Sequence, residues 1–348
     1  METKVYSRKM ASLQQINAVY KIPGADKICQ YGINGWLVVD QIGKYSVGDK
    51  VIYCEVDSWI PNSIAPFLTK PDKTPKEYLG VMGEKLRTVR LRNALSQGLI
   101  LPLSTLDYHK PGYGTLVDIG EDLSQVLGIL KYEAPQEYFN ADTKGNFPAF
   151  LKRSDQERIQ NCYTDLMPLF GGLIFEVQEK MEGQSHTAYY SNGEFGVCSR
   201  NLELKDTNNT FWNTARKYDL QNKLQKLGRN IAIVSEQCGP GISGNIYSLT
   251  EHYLFVFDIF DIDTQEYLKP SDRQTLVKEL GLTSAPILYN DFYFTNMSCS
   301  DILKMADGTS VMGHMTTPRE GLVFKANTRT RITFKAVSNE YLLKHSTR

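Results

Sequence analysis

What this 348-residue sequence lacks narrows it before any motif is read. Neither sign of charge is in excess: 39 Lys and Arg face 39 Asp and Glu, so no global field draws the chain onto nucleic acid. Any such binding must come from local basic patches. No apolar run is long enough to cross a bilayer, and the opening METKVYSRKM has no apolar signal-peptide core. Both absences predict an intracellular protein with no membrane partner. The six cysteines, Cys29, Cys54, Cys162, Cys198, Cys238 and Cys299, never form a C-x-x-C pair, which argues against a zinc site and a disulfide framework. Histidines are few and scattered, and there is neither an internal repeat nor a low-complexity tract.

What is present divides the chain in two. Residues 1–131 read as all-β: Trp36 to Ile42 and Lys50 to Asp57 alternate as a hairpin across GKYSVG, and a long loop covers residues 60–82. Strands follow at Lys85 to Arg92, Gly98 to Leu103 and Thr115 to Ile119, with a closing helix over Glu121 to Leu130. Short strands with one long excursion suit a small closed barrel of the oligonucleotide-binding (OB) type. In KLRTVRLR, Arg90 and Arg92 are candidates for contact with phosphates; a charge-guarded edge strand explains them equally well. Residues 132–146 are polar, aperiodic and punctuated by glycine and proline, and are expected to be a linker.

The second domain, 147–348, is expected to be α+β and built on antiparallel sheet. Ser154 with Glu157 reads as a capping box for a helix carrying Arg158 and Ile159, which puts Lys152 and Arg153 before a helix N-terminus, a favourable place for a phosphate. Asn192-Gly193 predicts a hairpin, with Arg200 at the end of its second strand. Thr210 to Leu227 has helical periodicity, and Ser271 to Leu280 reads as a capped helix. Ile231 to Glu236, Tyr253 to Ile262, Glu320 to Lys325 and Arg331 to Ala336 read as strands bearing Glu236, Phe257, Glu320, Lys325 and Lys335.

The stretch FEVQEKMEG, Phe175 to Gly183, delivers Lys180 between Glu179 and Glu182 at the end of an apolar strand. A second Lys-x-x-Gly, Lys21 to Gly24, carries a Pro-Gly turn and no flanking acids, so it receives no role. A lysine with an ordinary pKa of about 10.4 is protonated at neutral pH, so a nucleophilic Lys180 needs desolvation or neighbouring cations.

In order, EKMEG, SRN, SEQCGPGISGNIY, FVFD, EGLVFK and TFKAVSN resemble the covalent nucleotidyltransferase superfamily. FPAFLKRSDQERIQN and GLVFKAN resemble ATP-dependent RNA ligases in particular, and DKVIYCEVDSWIP with KLRTVRLRNALSQGLILPLS resembles the group whose OB domain precedes an ATP-grasp-like adenylation domain. In DNA ligases and capping enzymes an OB domain follows the last lysine motif, and little chain follows Lys335 here.

The resemblance implies that Lys180 forms a lysyl-AMP phosphoramidate and that Lys335 contacts the α-phosphate. It implies that Glu179 reads the adenine amino group, that Phe257 stacks on adenine, and that Arg200 and Glu236 hold ribose and phosphate. Glu182, Glu320 and Glu236 would face a hydrated Mg²⁺ or Mn²⁺, with Lys325, Lys152, Arg153 and Arg158 near nucleotide phosphates and the barrel near the β and γ phosphates. The implied partner is RNA with 3′-hydroxyl and 5′-phosphate ends, including a nicked duplex, bound by a monomer in strand-break repair. A ligase for DNA strands, or a binding module with a relic nucleotide pocket, remains the alternative; an intact set of Lys180, Glu236 and Glu320 disfavours the relic, because buried charge is costly to keep. Three positions depart from the family pattern: Glu182 where Asp is frequent, Thr333 where a first lysine is expected and Lys325 or Arg331 would substitute, and Ser243 where Gln is expected.

Overall fold

A two-residue Asn34-Gly35 turn with both φ angles positive (48° and 85°) sets the first pairing of the barrel half. It joins Ile28–Ile33 (β3) to Trp36–Gln41 (β4), with Ile33 opposite Trp36. The expected hairpin between residues 36–42 and 50–57 therefore does not form. A tight Asn-Gly turn closes a hairpin at lower entropic cost than the six-residue GKYSVG connection. The computed structural model describes residues 8–109, 112, 116–133, 140–313 and 316–345. Two units are resolved, Met1–Ala134 with Leu342–Arg348, and Pro135–Tyr341.

In the first unit, Ala11–Gln15 (β1) and Ala18–Lys21 (β2) precede β3, and β2, β3 and β4 form one sheet. Lys50–Cys54 (β5) pairs with β1 on one side and Leu99–Leu101 (β11) on the other. Successive side chains on a strand point to opposite faces. Ile52 and Cys54 enter one core with Leu13, Ile60, Leu106 and Leu127, while Val51 and Tyr53 enter a second with Ile16, Tyr31 and Trp36. Ser58–Pro61 (β6), Lys76–Tyr78 (β7), Val81–Lys85 (β8) and Leu130–Lys131 (β12) make a third sheet. The expected loop over 60–82 thus contains β7 and the start of β8.

The strand expected over 85–92 is broken. Val89–Leu91 (β9) turns at Arg92 and Asn93, both at positive φ, into Ala94–Ser96 (β10). Residues 116–119 form no strand, Thr115 lies outside the described residues, and Ser104–His109 (α1) is a short helix. The helix expected over 121–130 is a run of turns. Asp122 accepts from the Ser124 backbone at 2.9 Å and the Ser124 hydroxyl accepts from Ala11 N at 3.0 Å, offering the backbone partners other than a helix. Its apolar residues Leu123, Leu127 and Ile129 are buried all the same.

The second unit holds two sheets. Thr143–Asn146 (β13), expected as linker, pairs with Leu202–Leu204 (β18) at one end of a seven-stranded sheet. Glu194–Cys198 (β17), Gln184–Ser191 (β16), Ile231–Cys238 (β19), Tyr253–Asp261 (β20) and Glu266–Tyr267 (β21) complete that sheet. The Asn192-Gly193 turn joins β16 to β17 as the dipeptide predicts, with Ser191 opposite Glu194. A five-stranded sheet runs Glu157–Arg158 (β14), Thr333–Val337 (β24), Gly321–Ala326 (β23), Phe175–Glu179 (β15) and Ile287–Phe292 (β22).

Every residue of β15 is buried. Phe175, Phe324 and Phe334 are fully buried, and the rings of Phe324 and Phe334 stack at 4.8 Å. Each such side chain contributes about 1.5–3 kcal/mol through burial, so the strand that delivers Lys180 is anchored in a fully buried aromatic core. Ile159–Phe170 (α2) and Cys299–Ala306 (α6) cover this core. Two helices, Thr210–Lys217 (α3) and Leu220–Leu227 (α4), replace the single helix expected over 210–227, because Asp219 turns the chain at φ 52°. Pro270–Glu279 (α5) starts one residue before the expected Ser271, and its N-cap, Lys269, makes no side-chain capping bond. Asn339–His345 (α7) follows β24.

Candidate active site

A cavity of about 420 Å³ opens between the two sheets of the second unit, within the range that small-molecule sites occupy. Its lining includes Lys180, Glu179, Arg200, Glu236, Phe257, Lys325 and Lys335. Strand ends far apart in sequence thus converge on one site.

Lys180 follows β15 directly, and its backbone N–H donates to Gly321 O at 2.9 Å. Its Nζ donates to Glu320 Oε1 at 2.5 Å. Burial lowers the Lys180 pKa, but Glu320 and Glu236 outweigh burial and hold it above its ordinary value. The expectation of a depressed pKa is therefore corrected for the ligand-free site: the nearest charges are carboxylates. Lys335 shows the opposite balance. Burial, Lys180 and Arg158 push it down to about 8, and among the described residues its amine has no hydrogen-bond or ion-pair partner. Arg158 lies beside it because β14 runs parallel to β24 with Arg158 paired to Lys335.

Three carboxylates surround Lys180 electrostatically. Burial raises Glu236 to about 7, with Glu320 adding to the rise and Lys180 opposing it. Burial also raises Glu182, against a hydrogen bond from Tyr341 and with repulsion from Glu320. One Glu182 oxygen, Oε2, is buried with no hydrogen-bond partner. Among the described residues no three acids close on a common point as chelating ligands. Hard carboxylate oxygens, one of them orphaned, fit a divalent cation that keeps most of its waters and is held through them. Glu182 and Glu320 do not line the cavity.

The turn after Lys180 is fixed by close approach. A Cβ at Gly183 would stand 2.5 Å from Gln237 O and 2.9 Å from Glu236 Cγ, so only glycine lets the chain pass. The Ser243 hydroxyl donates to Gly183 O at 3.0 Å and Glu182 N–H donates to Tyr247 Oη at 2.7 Å, pinning the glycine-rich loop to this turn. That gives Ser243 a role of its own where the family pattern has Gln.

Phe257 reaches the cavity through a bulge. Val234 pairs with Asp258 and Ser235 with Val256, which leaves Phe257 as an extra residue on β20. Bulges of this kind re-aim side chains next to active sites. Glu179 is engaged differently from expectation: its buried carboxylate accepts from Ser310 Oγ and, at 2.9 Å, from Val311 N. Arg200 is exposed and pairs with Asp155 at 2.8 Å.

Several expected phosphate ligands are committed elsewhere. Lys325 pairs with Asp258 at 2.9 Å and also donates to Phe257 O, while Arg331 pairs with Asp258 at 2.8 Å and lies over the Tyr267 ring at 3.9 Å. Neither cation is free to stand in for a lysine at Thr333. Burial and neighbouring arginines bring the Lys325 pKa down to about 8 against the pull of Asp258. The expected capping box does not form: Ser154 donates to Asp258, Glu157 accepts from Arg158 N and Asn161, and α2 begins only at Ile159. Lys152 therefore precedes no helix; it donates to Gln265 O at 2.8 Å, and Arg153 lies over the Phe147 ring at 5.8 Å. Arg90, in the first unit, donates to Leu343 O at 2.8 Å, and Arg92 is exposed.

The sequence reading passed over Ser154, Tyr247 and Ser310 as site-shaping groups. Tyr247 lies at the end of the glycine-rich motif SEQCGPGISGNIY; Ser310 carries no local signal at all.

Asp258 also sets a stability prediction. Arg331 and Lys325 overcome burial and hold its carboxyl well below the ordinary 3.8. A depressed folded-state pKa contributes stability above the unfolded value, and that contribution is lost as pH falls through the folded one. Asp258→Ala is expected to cost about 3 kcal/mol at neutral pH by leaving buried Lys325 and half-buried Arg331 uncompensated. Thermal unfolding against pH checks this: the gap between variant and wild type should narrow below about pH 4, and a gap constant down to acid pH would contradict it.

The RNA ligase family model matches residues 174–337, and an OB-fold domain model matches residues 10–103. A Naegleria gruberi RNA ligase mutant in apo form is 38% identical, with a TM-score of 0.80 over 97% of this chain and 98% of that one. A second mutant of that ligase, with ATP and Mn, is 38% identical at TM-score 0.81, covering 97% of this chain and 99% of that one. The same ligase with PPi gives 38% identity and 0.80 over 97% and 99%. A search of curated proteins gives no match. With an N-terminal OB-fold domain, an antiparallel-sheet ligase domain and this identity across almost its whole length, the chain belongs to the RNA ligase family.

Proposed function

We propose that the protein joins an RNA 3′-hydroxyl to an RNA 5′-phosphate by three nucleotidyl transfers that begin on Lys180. As a member of this family it is an ATP-dependent RNA ligase. The Naegleria gruberi ligase structures with ATP and Mn, with AMP and Mn and with PPi support ATP as AMP donor and Mn²⁺ or Mg²⁺ as the metal. The observation that carries the finer reading is the pairing of a strand-end lysine with an unpartnered second lysine, Lys335, in one cavity with an aromatic ring.

In the first transfer Lys180 Nζ forms a bond to the α-phosphorus as the bond to pyrophosphate breaks. Glu320 orients the amine through its 2.5 Å contact, and Lys335 stabilises the negative oxygens that develop at phosphorus. A divalent cation held through its waters by Glu182, Glu236 and Glu320 would add charge neutralisation there and offset the carboxylate field on Lys180. Phe257 stacks on adenine, Glu179, fixed by Ser310 and Val311, accepts from its amino group through a remaining lone pair, and Arg200 with Glu236 holds ribose and phosphate. The 5′-phosphate of RNA then takes AMP from Lys180, and the 3′-hydroxyl displaces AMP to seal the strand. A nicked duplex is the proposed substrate and a monomer the proposed working form, in RNA strand-break repair.

The test is sealing of end-labelled nicks in three duplexes: all RNA, RNA 3′-hydroxyl facing DNA 5′-phosphate, and all DNA. Joining of the RNA nick at least about tenfold faster than the all-DNA nick is expected, a difference of about 1.4 kcal/mol at the transition state. Equal rates on all three would overturn the RNA assignment of the strands, and joining only of single-stranded ends would overturn the nick.

A further inference from the structure

Buried groups behind the cavity, which the reaction itself does not use, bear on how the ring of Phe257 is held. The bulge leaves the Phe257 carbonyl outside the regular β19–β20 ladder. Arg273 of α5 donates to it from Nη1 at 3.1 Å, and Lys325 donates to it from the other partner strand system. Arg273 is 1% exposed and binds Glu176 through both arms, Nη1 to Oε1 at 2.8 Å and Nη2 to Oε2 at 2.6 Å. Glu176 lies on β15, four residues before Lys180, and pairs across the sheet with Lys325. Gln274 closes the set, donating to Glu176 Oε2 at 2.5 Å.

We infer that Arg273 is a positioning residue for nucleotide binding: its fork ties the bulge that aims Phe257 to the strand that delivers Lys180. The inference deepens the proposed function and rests on Phe257 stacking against adenine. A planar fork suits the task, because a guanidinium satisfies a carboxylate with two parallel bonds and still offers an arm to a carbonyl. A single ammonium in its place cannot reach both with the same geometry. The ring is the affected group and the lysine is not, since Lys180 N–H is held separately by Gly321 O. Loss of the fork should therefore act on binding of the base and leave the chemical step largely alone.

The experiment is formation of lysyl-AMP from α-labelled ATP by the full chain, with KM for ATP and the saturating rate measured for Arg273→Lys, Phe257→Leu and the double variant. Stacking of a base on an aromatic ring is worth about tenfold or more in binding. Arg273→Lys is expected to raise KM by about tenfold with the saturating rate within about twofold, and the double variant to be no worse than Phe257→Leu alone. An unchanged KM in Arg273→Lys beside a raised KM in Phe257→Leu overturns the positioning role and leaves the stacking role standing. Effects that multiply in the double variant overturn it too. An unchanged KM in Phe257→Leu overturns stacking, and the inference with it. Should Arg273→Lys fail to fold, Glu176→Met with Arg273→Met removes both buried charges together and is read by the same KM criterion.

Discussion

Lys180→Ala is expected to abolish protein-bound label from α-labelled ATP and, with it, sealing of nicked RNA, by at least about a thousandfold. The Lys180 amine contacts a carboxylate orienter, Glu320, at 2.5 Å and shares the cavity lining with a second lysine, Lys335. Lys335 is held within β24, where burial first and then Lys180 and Arg158 bring its pKa down to about 8, and no carboxylate among the described residues orients its amine as Glu320 orients Lys180. The measurement is denaturing electrophoresis after incubation with a divalent cation. Wild-type label should resist alkali and be released by acid, as a phosphoramidate is. Label of the same stability on Lys180→Ala would remove Lys180 from the mechanism.

Glu320→Gln is the second large effect, and it carries two opposite signs. In the proposed reaction this carboxylate serves the charge balance at the α-phosphate, so its loss is expected to lower the saturating rate of lysyl-AMP formation by about a hundredfold to a thousandfold. The same carboxylate is the principal group that raises the Lys180 pKa against burial. A nucleophile acts as the neutral amine, so the acid limb of the pH–rate profile should follow that pKa. Removing Glu320 should therefore shift the limb to lower pH even as the maximum falls. Single-turnover label formation across pH separates the two, with the maximum read at saturating ATP and the limb at ATP well below KM, where the rate reports the ligand-free enzyme. A reduced maximum with the limb unmoved, or moved upward, would show that Glu320 does not control protonation of Lys180.

Much of this protein was legible one strand at a time. Asn192-Gly193, the apolar run of β15 and the six ordered motifs depend on near neighbours, and such signals survive folding unchanged. They pointed to the two kinds of domain and to residues that line one cavity, Lys180, Glu236, Phe257 and Lys335 among them. The errors came where a segment had a choice of partner. Trp36 to Gln41 found β3 because a two-residue turn was nearer than β5, Thr210 to Leu227 broke where Asp219 turned, and Ser154 left its helix for Asp258.

Tertiary structure alone decided what each charge does. Lys325 and Arg331 look like phosphate ligands in the chain and are bound to Asp258 in the fold, and Glu179 answers to Ser310 and Val311. The Lys180 pKa turned out raised, because its sign depends on which of several nearby charges lies closest, a matter of ångströms between residues 140 positions apart. The physical reason is common to all of these. Residue type and short-range pattern determine what a side chain is able to do, while the distance to long-range partners determines what it does, and in a low-dielectric interior that distance is worth more than any local preference.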